Sequence, residues 1–321
     1  MMKQHTVGID ISKAHLEAHR RVDGQSARFA NDPAGFRALI DWIGTPVECV
    51  AYEATGPYHR DFEEALLKAK LPLSRVNPWQ ARRFAEATGS RAKTDTVDAR
   101  MLARMGASLD LRPTPAPSKT QRRLQELQTS RDPLMRQRTA ALNRRAQLRD
   151  PLLKRQNQAQ INLFQRQVRA IDRELQQLIQ SDPERARKLE ILTSIPGIAA
   201  TTAAGLLAEM PELGTLTGKT AASLAGLAAV PRESGTWQGR AFIRGGRQRA
   251  RRLLYMPAVS TLRWNRDLAD VYRRLTERGK PGKVALVAVM RKLIVLANTL
   301  VRQDRTWLPE APRGSAGQIM C

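Results

Sequence analysis

Asp10, Glu53, Asp95 and Asp98 are four carboxylates that this sequence sets where a metal ion could be held. Asp10 sits midway in the apolar run T-V-G-I-D-I-S, and Glu53 closes a second, V-E-C-V-A-Y-E-A-T-G. An acid within a strand buried on both faces is strongly disfavoured unless it is paired or bound to a cation. Ala54, Thr55 and Gly56 are small and leave room for a ligand beside Glu53. Asp95 and Asp98 are three apart in K-T-D-T-V-D-A-R, which on a helix places both on one side. Taken alone, this pair is better explained by capping of that helix by Thr94 or Asp95, since D-x-x-D is common in helices. Together, four carboxylates at the C-terminal edge of a sheet suit one or two Mg²⁺ ions, which polarise a phosphate and stabilise attacking and leaving oxygens.

The rest of the chain says which substrate such a centre would meet. Among 321 residues, 54 Lys and Arg oppose 30 Asp and Glu, a formal charge of +24. That balance fits a nucleic-acid partner far better than a small molecule. An anionic membrane is the rival polyanion, but no apolar run approaches the roughly 18–20 residues that span a bilayer. The first ten residues enter a strand pattern with no signal-peptide stretch. Two cysteines, Cys49 and Cys321, make neither a disulfide framework nor a Cys-ligated zinc site. The expectation is a soluble cytoplasmic protein, nucleoid-associated while it acts, with no membrane partner.

Residues 5–100 alternate strand and helix signals. Strands are expected at Val7–Ile11, His15–Arg20, Ala27–Ala30, Val47–Tyr52 and Leu71–Val76, with a helix opening at Asp32-Pro33 and another around Phe62, Leu66 and Leu67. This is a mixed α/β sheet. Arg112–Lys119, R-P-T-P-A-P-S-K, reads as a stiff linker. Beyond it a polar helical region carries Ile161, Phe164, Val168, Ile171, Leu175 and Leu178 on one heptad seam, a coiled-coil pattern that would serve assembly. Asp132-Pro133 and Asp150-Pro151 interrupt it, so a bent or hairpin arrangement is expected. From about residue 190 the chain is mainly helical. Two short helices around Pro196-Gly197 resemble a helix-hairpin-helix or form an ordinary tight turn, and further helices are expected at Ala221–Ala228, Arg249–Leu262 and Lys283–Val301. The resulting domains are 1–111 (acidic, catalytic), 112–190 (linker and coiled coil) and 191–321 (mainly α).

The motifs G-I-D-I-S-K, E-A-T-G-P-Y, V-N-P and K-T-D-T-V-D-A-R resemble the N-terminal domain of the insertion sequence 110 family of transposases, and S-I-P-G-I, A-G-L-A-A-V-P-R-E-S-G and R-R-L-L-Y-M-P-A continue the resemblance along nearly the whole chain. It implies a RuvC-like (RNase H-like) fold with an Asp-Glu-Asp-Asp set at Asp10, Glu53, Asp95 and Asp98, the acids chosen above on chemical grounds. It also implies a C-terminal transposase domain whose serine is Ser234, in E-S-G. Read alone, Ser234 is a turn residue before glycine, and His5, His15, His19 and His59 are all N-terminal, so no nearby His activates it. By the resemblance, this serine attacks DNA and forms a transient phosphoserine link. The acidic set would hold Mg²⁺, the active site would combine two subunits of a dimer or tetramer, and a bridge RNA would pair with donor and target DNA.

Around Ser234 the chain is basic. Arg232, Arg240, Arg244, Arg247, Arg249, Arg251 and Arg252 surround Trp237 and Phe242, a mixture suited to phosphates and stacked bases. Lys280 and Lys283, in R-G-K-P-G-K, are further phosphate candidates or an exposed loop. The run G-R-A-F-I-R-G-G-R resembles the insertion sequence 1111 subgroup; Gly245-Gly246 in it suits close approach to nucleic acid or a tight turn. Two other functions stay open on the residues alone: a RuvC-type metal-dependent nuclease that uses the acids and water, and a non-catalytic nucleic-acid-binding assembly protein.

Overall fold

Apolar side chains at Val7, Ile9 and Ile11 fix β1 (Thr6–Ile11) at the centre of a five-stranded sheet. In the computed structural model, residues 5–54, 56, 58–89, 95–109, 111, 113–234, 236–239 and 241–308 are described, those at 95, 96, 233, 234, 237 and 238 by backbone alone. The chain divides into two units, Met1–Pro117 and Ser118–Cys321.

In the first unit, β2 (His15–Arg20) and β3 (Ser26–Ala30) continue from β1 as antiparallel neighbours, while β4 (Cys49–Glu53) and β5 (Leu73–Val76) pair parallel on its other side. The order is β3-β2-β1-β4-β5. Asp32 caps α1 (Pro33–Ile43), its Oδ1 accepting from the Gly35 N–H at 2.8 Å, as the Asp-Pro pair predicts. Helices α1 and α2 (Arg60–Lys68) cover one sheet face, where Val7, Ile9, Leu16, Tyr52, Phe36, Phe62 and Leu66 share a core. On that side Glu63 collects the Tyr52 hydroxyl and, at 3.0 Å, Arg75 Nε, and burial pushes the Tyr52 phenol above its ordinary range.

The opposite face takes α3 (Pro78–Ala87), which the sequence reading does not anticipate, and α4 (Asp95–Ser108). Gly8 makes the α4 contact possible. A Cβ there would lie 2.0 Å from the Ala99 carbonyl oxygen and 2.3 Å from the Ala103 nitrogen. Thr6 Oγ1 donates to the Ala103 carbonyl at 3.0 Å. Because the obstructing atoms are backbone, Gly8→Ala must push the whole helix away. The expected destabilisation is about 1–3 kcal/mol, read as a lowered denaturant midpoint; an unchanged midpoint would show that α4 does not rest on this glycine.

In the second unit, α5 (Lys119–Gln147) and α6 (Pro151–Gln180) form an antiparallel hairpin joined by three residues. Only one of the two Asp-Pro pairs ends a helix. Asp150 caps α6 with Pro151 at its first turn, whereas Pro133 lies inside an unbroken α5. The turn before Pro133 is held through Asp132, which accepts from Gln128 at 3.3 Å and from Arg252 at 3.2 Å. Ile161, Val168 and Leu175 of the heptad seam are buried within the chain, and Arg131 clamps Asp172 across the pair at 2.6 and 3.2 Å.

The helices α7 (Pro183–Ser194), α8 (Ala200–Glu209), α9 (Gly218–Leu224), α10 (Gln248–Trp264), α11 (Arg266–Glu277) and α12 (Gly282–Arg302) build the remaining core. Four short strands lie between α9 and α10: β6 (Ala229–Val230), β7 (Glu233–Ser234), β8 (Trp237–Gln238) and β9 (Phe242–Ile243). One correction concerns α12, which among the described residues is long and apolar enough by composition to cross a membrane. Its apolarity comes from a core-facing side that carries Ala285, Val289, Leu293, Ile294, Ala297 and Leu300.

Candidate active site

Strand alternation decides which residues share a face. Gly8 and Asp10 lie on the α4 side of β1, and Cys49, Ala51 and Glu53 on the same side of β4. The β1–β4 ladder pairs Ile9 with Tyr52, so one step further along the two parallel strands Asp10 stands beside Glu53, with strands about 4.8 Å apart. Both are half-buried.

Helix α4 brings the third acid by running antiparallel to β1. Ala99 and Ala103 cross over Gly8, and Gly106 lies over Thr6, Cys49 and Ala51. Asp10 is about 7 Å beyond Gly8 at about 3.3 Å per strand residue, which is between four and five helical residues at about 1.5 Å each. That step lands in the first turn of α4, between Asp95 and Asp98. The two strand ends and the start of the helix therefore meet at one sheet edge. Asn31 ties the loops there, its Nδ2 donating to the carbonyls of Ser12 at 2.8 Å and Tyr58 at 3.2 Å.

A fifth acid, absent from the sequence reading, belongs to this row. Glu17 faces Asp10 in the β1–β2 ladder and is 7% exposed. Arg28, opposite it on β3, donates to its Oε1. The row across the sheet is then Glu53, Asp10, Glu17, Arg28, with a cation neutralising the carboxylate farthest from Glu53. Nothing local marks Glu17 in the sequence; only the hairpin register brings it beside Asp10.

Hard oxygen donors gathered at one edge suit a divalent cation. Among the described residues, however, no three His, Cys, Asp or Glu side chains stand close enough to hold one ion, and the Asp95 side chain is outside that set.

Ser234 lies in the second unit. β7 and β8 pair antiparallel, with Ser234 opposite Trp237 across a two-residue turn, and β6 pairs antiparallel with β9. Ser234 thus stands at the turn of a ribbon whose described residues are mostly exposed. Gly235 and Arg240 fall outside the described residues, and the side chains of Ser234 and Trp237 likewise.

The basic residues after this ribbon divide into two sets. Arg247 makes a bidentate pair with Glu212 at 2.6 and 2.7 Å and donates to the Glu209 carbonyl at 2.6 Å. Arg249 bonds Thr129 Oγ1 at 2.5 Å and stands 3.7 Å from Glu209, which burial holds above the ordinary carboxylate range. Arg251 donates to the carbonyls of Gly226 and Gly245 at 3.1 and 3.3 Å. These three hold the unit together. Arg232, Arg244, Lys280 and Lys283 are exposed. Gly246, at φ 64°, presses on Gly226, where a Cβ would meet the backbone nitrogen at 2.2 Å. The Gly245-Gly246 pair therefore serves a tight turn against α9. The Pro196-Gly197 turn also packs inward: Thr261 Oγ1 donates to the Pro196 carbonyl at 2.8 Å, and a Cβ on Gly197 would strike that hydroxyl.

Residues 7–151 match a DEDD-type transposase family of insertion sequence IS110 elements, and residues 189–273 match the family described as transposase IS116/IS110/IS902. The chain is also similar to the pilin gene-inverting proteins of Moraxella bovis and Moraxella lacunata. Each is 29% identical over 317 residues, 95% of this chain and 98% of theirs.

Proposed function

We propose, for a chain that carries IS110 family transposase domains and is a DNA transposase/recombinase, that strands are cut and exchanged by Ser234 acting with the acidic edge of a RuvC-like domain. The observation that carries this reading is the antiparallel run of α4 over Gly8, which sets the helix start with Asp95 and Asp98 at the edge where Asp10 and Glu53 end. The strand order β3-β2-β1-β4-β5, with β1 to β3 antiparallel and β4 and β5 parallel to β1, supports the RNase H-like assignment.

In the reaction, Ser234 Oγ forms a bond to the phosphorus of the scissile phosphodiester. The bond to one sugar oxygen breaks, that oxygen takes up a proton, and the serine gives one up. A sugar hydroxyl from the exchange partner then attacks the phosphoserine and frees Oγ. One phosphoester replaces another at each step, so no external energy source is needed. Asp10, Glu53, Asp95 and Asp98 are the residues that would hold Mg²⁺, and a divalent cation there would supply charge stabilisation at the phosphate oxygens. Arg28, fixed by Glu17 at the same edge, offers a guanidinium to the phosphate.

In this reading Ser234 of one subunit acts at the acidic edge of another, and its position at the turn of the β7–β8 ribbon supports that role. A homo-oligomer, a guiding bridge RNA and membership of the insertion sequence 1111 subgroup complete the reading. Its test is direct. Incubating the protein with its own element ends and Mg²⁺, then denaturing, is expected to trap a protein–DNA adduct whose modified peptide contains Ser234. Cleaved DNA with no adduct by mass spectrometry would exclude the phosphoserine route and leave water as the nucleophile.

A further inference from the structure

Arg21, Arg100 and Arg104 surround a cavity of about 460 Å³ with His19, Asp23 and Gly24. Asp23 is engaged by Arg20, whose Nε donates to it at 2.9 Å. Among the described residues no carboxylate pairs with Arg21, Arg100 or Arg104. Three guanidinium groups thus face one space with a single acid, itself already bonded. His19 also lines the space, with its Nδ1 engaged by Ser26 Oγ at 2.8 Å. Burial first, and then the charge of Arg100, holds the imidazole below its ordinary range. Mutual repulsion of the arginines is relieved when an anion enters, and guanidinium forks bind phosphate oxygens in pairs.

The position of this cavity gives it a direction. His19 pairs with Gly8 across the β1–β2 ladder, and α4 lies over Gly8. Arg100 and Arg104 are one turn apart on α4, about 6 Å of rise. Asp10 is two strand residues past Gly8, about 7 Å along the sheet. Arg21 stands at Thr6, its N–H donating to the Thr6 carbonyl at 3.0 Å, so the cavity begins beside His19 and extends away from Asp10 along the α4 face of the β1–β2 pair, within the first unit.

We propose that this cavity is a phosphodiester subsite, holding the backbone of the DNA strand further along which the cleaved phosphate lies at the acidic edge. The proposal rests on the reading of that edge as the place of strand cleavage. It assigns Arg21, Arg100 and Arg104 to positioning the strand without base readout, since guanidinium–phosphate contacts carry no sequence information.

The experiment measures binding of the full-length protein to a single-stranded DNA oligonucleotide and to RNA of the same sequence over a range of salt. Arg100→Gln/Arg104→Gln is expected to weaken DNA binding about ten-fold or more and to flatten the salt slope by about 1.4, at about 0.7 per lost phosphate contact. Both side chains are exposed, and a thermal melt checks that the variant folds. Arg100→Lys/Arg104→Lys is expected to recover the slope and part of the affinity, because the charge is kept and the bidentate geometry is not. Unchanged DNA affinity and slope in the Gln variant would overturn the proposal and mark the cavity as a solvated basic face. A loss confined to RNA would overturn it as well. Asp10→Asn, read in a cleavage assay, separates this subsite from the reading of the edge: normal cleavage by that variant rejects the edge, whatever the arginine variants do to binding.

Discussion

Ser234→Ala is expected to abolish strand exchange, by at least about a thousand-fold, as removal of a covalent nucleophile does in other enzymes. The substitution deletes one hydroxyl from the turn of the β7–β8 ribbon, where the pairing is by backbone and survives it. DNA binding and the melting temperature should therefore stay at their parental values while joined products and the covalent adduct disappear. That combination separates two enzymes that charge and fold alone do not distinguish. A nuclease that used the acids and water would cut as before in the alanine variant. A recombinase that stores the phosphoester on Ser234 would neither cut nor join. Ser234→Cys sharpens the measurement: a thiol can attack phosphorus and leave a protein–DNA adduct even where onward transfer is slow. Adduct without joined product would place the defect after the first transfer. Unimpaired exchange in Ser234→Ala would remove serine from the mechanism altogether.

How much of this was legible beforehand depends on whether a residue's partners are near it in sequence. The five strands, the Asp32-Pro33 helix start, Asp10 within the first strand and Glu53 at the end of another all follow from apolar strand patterning and local capping chemistry. Glu17 did not follow, because its meaning comes from standing opposite Asp10 in an antiparallel register and being paired with Arg28 on a third strand. The basic run after Ser234 was misleading in a related way. Its density of like charge suggests one nucleic-acid face, yet Arg247, Arg249 and Arg252 meet Glu212, Glu209 and Asp132, acids 35 to 120 residues away in the chain. A charge count sees the arginines and not the acids that fold back to them. The heptad seam shows the same limit. Its period is genuine, but periodicity does not say whether the matching surface belongs to another subunit, and here Ile161, Val168 and Leu175 are buried against elements of the same chain.

Asp10→Asn is the second large effect, and it asks whether the acidic edge is chemistry or architecture. Asparagine keeps the shape and most of the hydrogen bonding of aspartate but not its charge. If Asp10 were only a structural acid, its replacement would shift stability, and cleavage would change only as far as the fold is lost. If the edge works as proposed, strand cleavage should fall about a thousand-fold, roughly 4 kcal/mol of transition-state stabilisation at about 1.4 kcal/mol per factor of ten. The fold should not suffer. Asparagine preserves the shape of the side chain at this half-buried strand position, so a melting temperature close to the parental value is expected. A second readout does not depend on turnover. Any ligand that binds only the folded state raises the melting temperature with its concentration, so Mg²⁺ or Mn²⁺ should stabilise the parental protein more than Asp10→Asn or Glu53→Gln. An Asp10→Asn protein that cleaves normally and responds to Mg²⁺ as its parent does would show that the cation, if one is needed, is held elsewhere. Reduced cleavage with a falling melting temperature would instead make Asp10 a structural acid whose loss loosens the packing of α4 on β1.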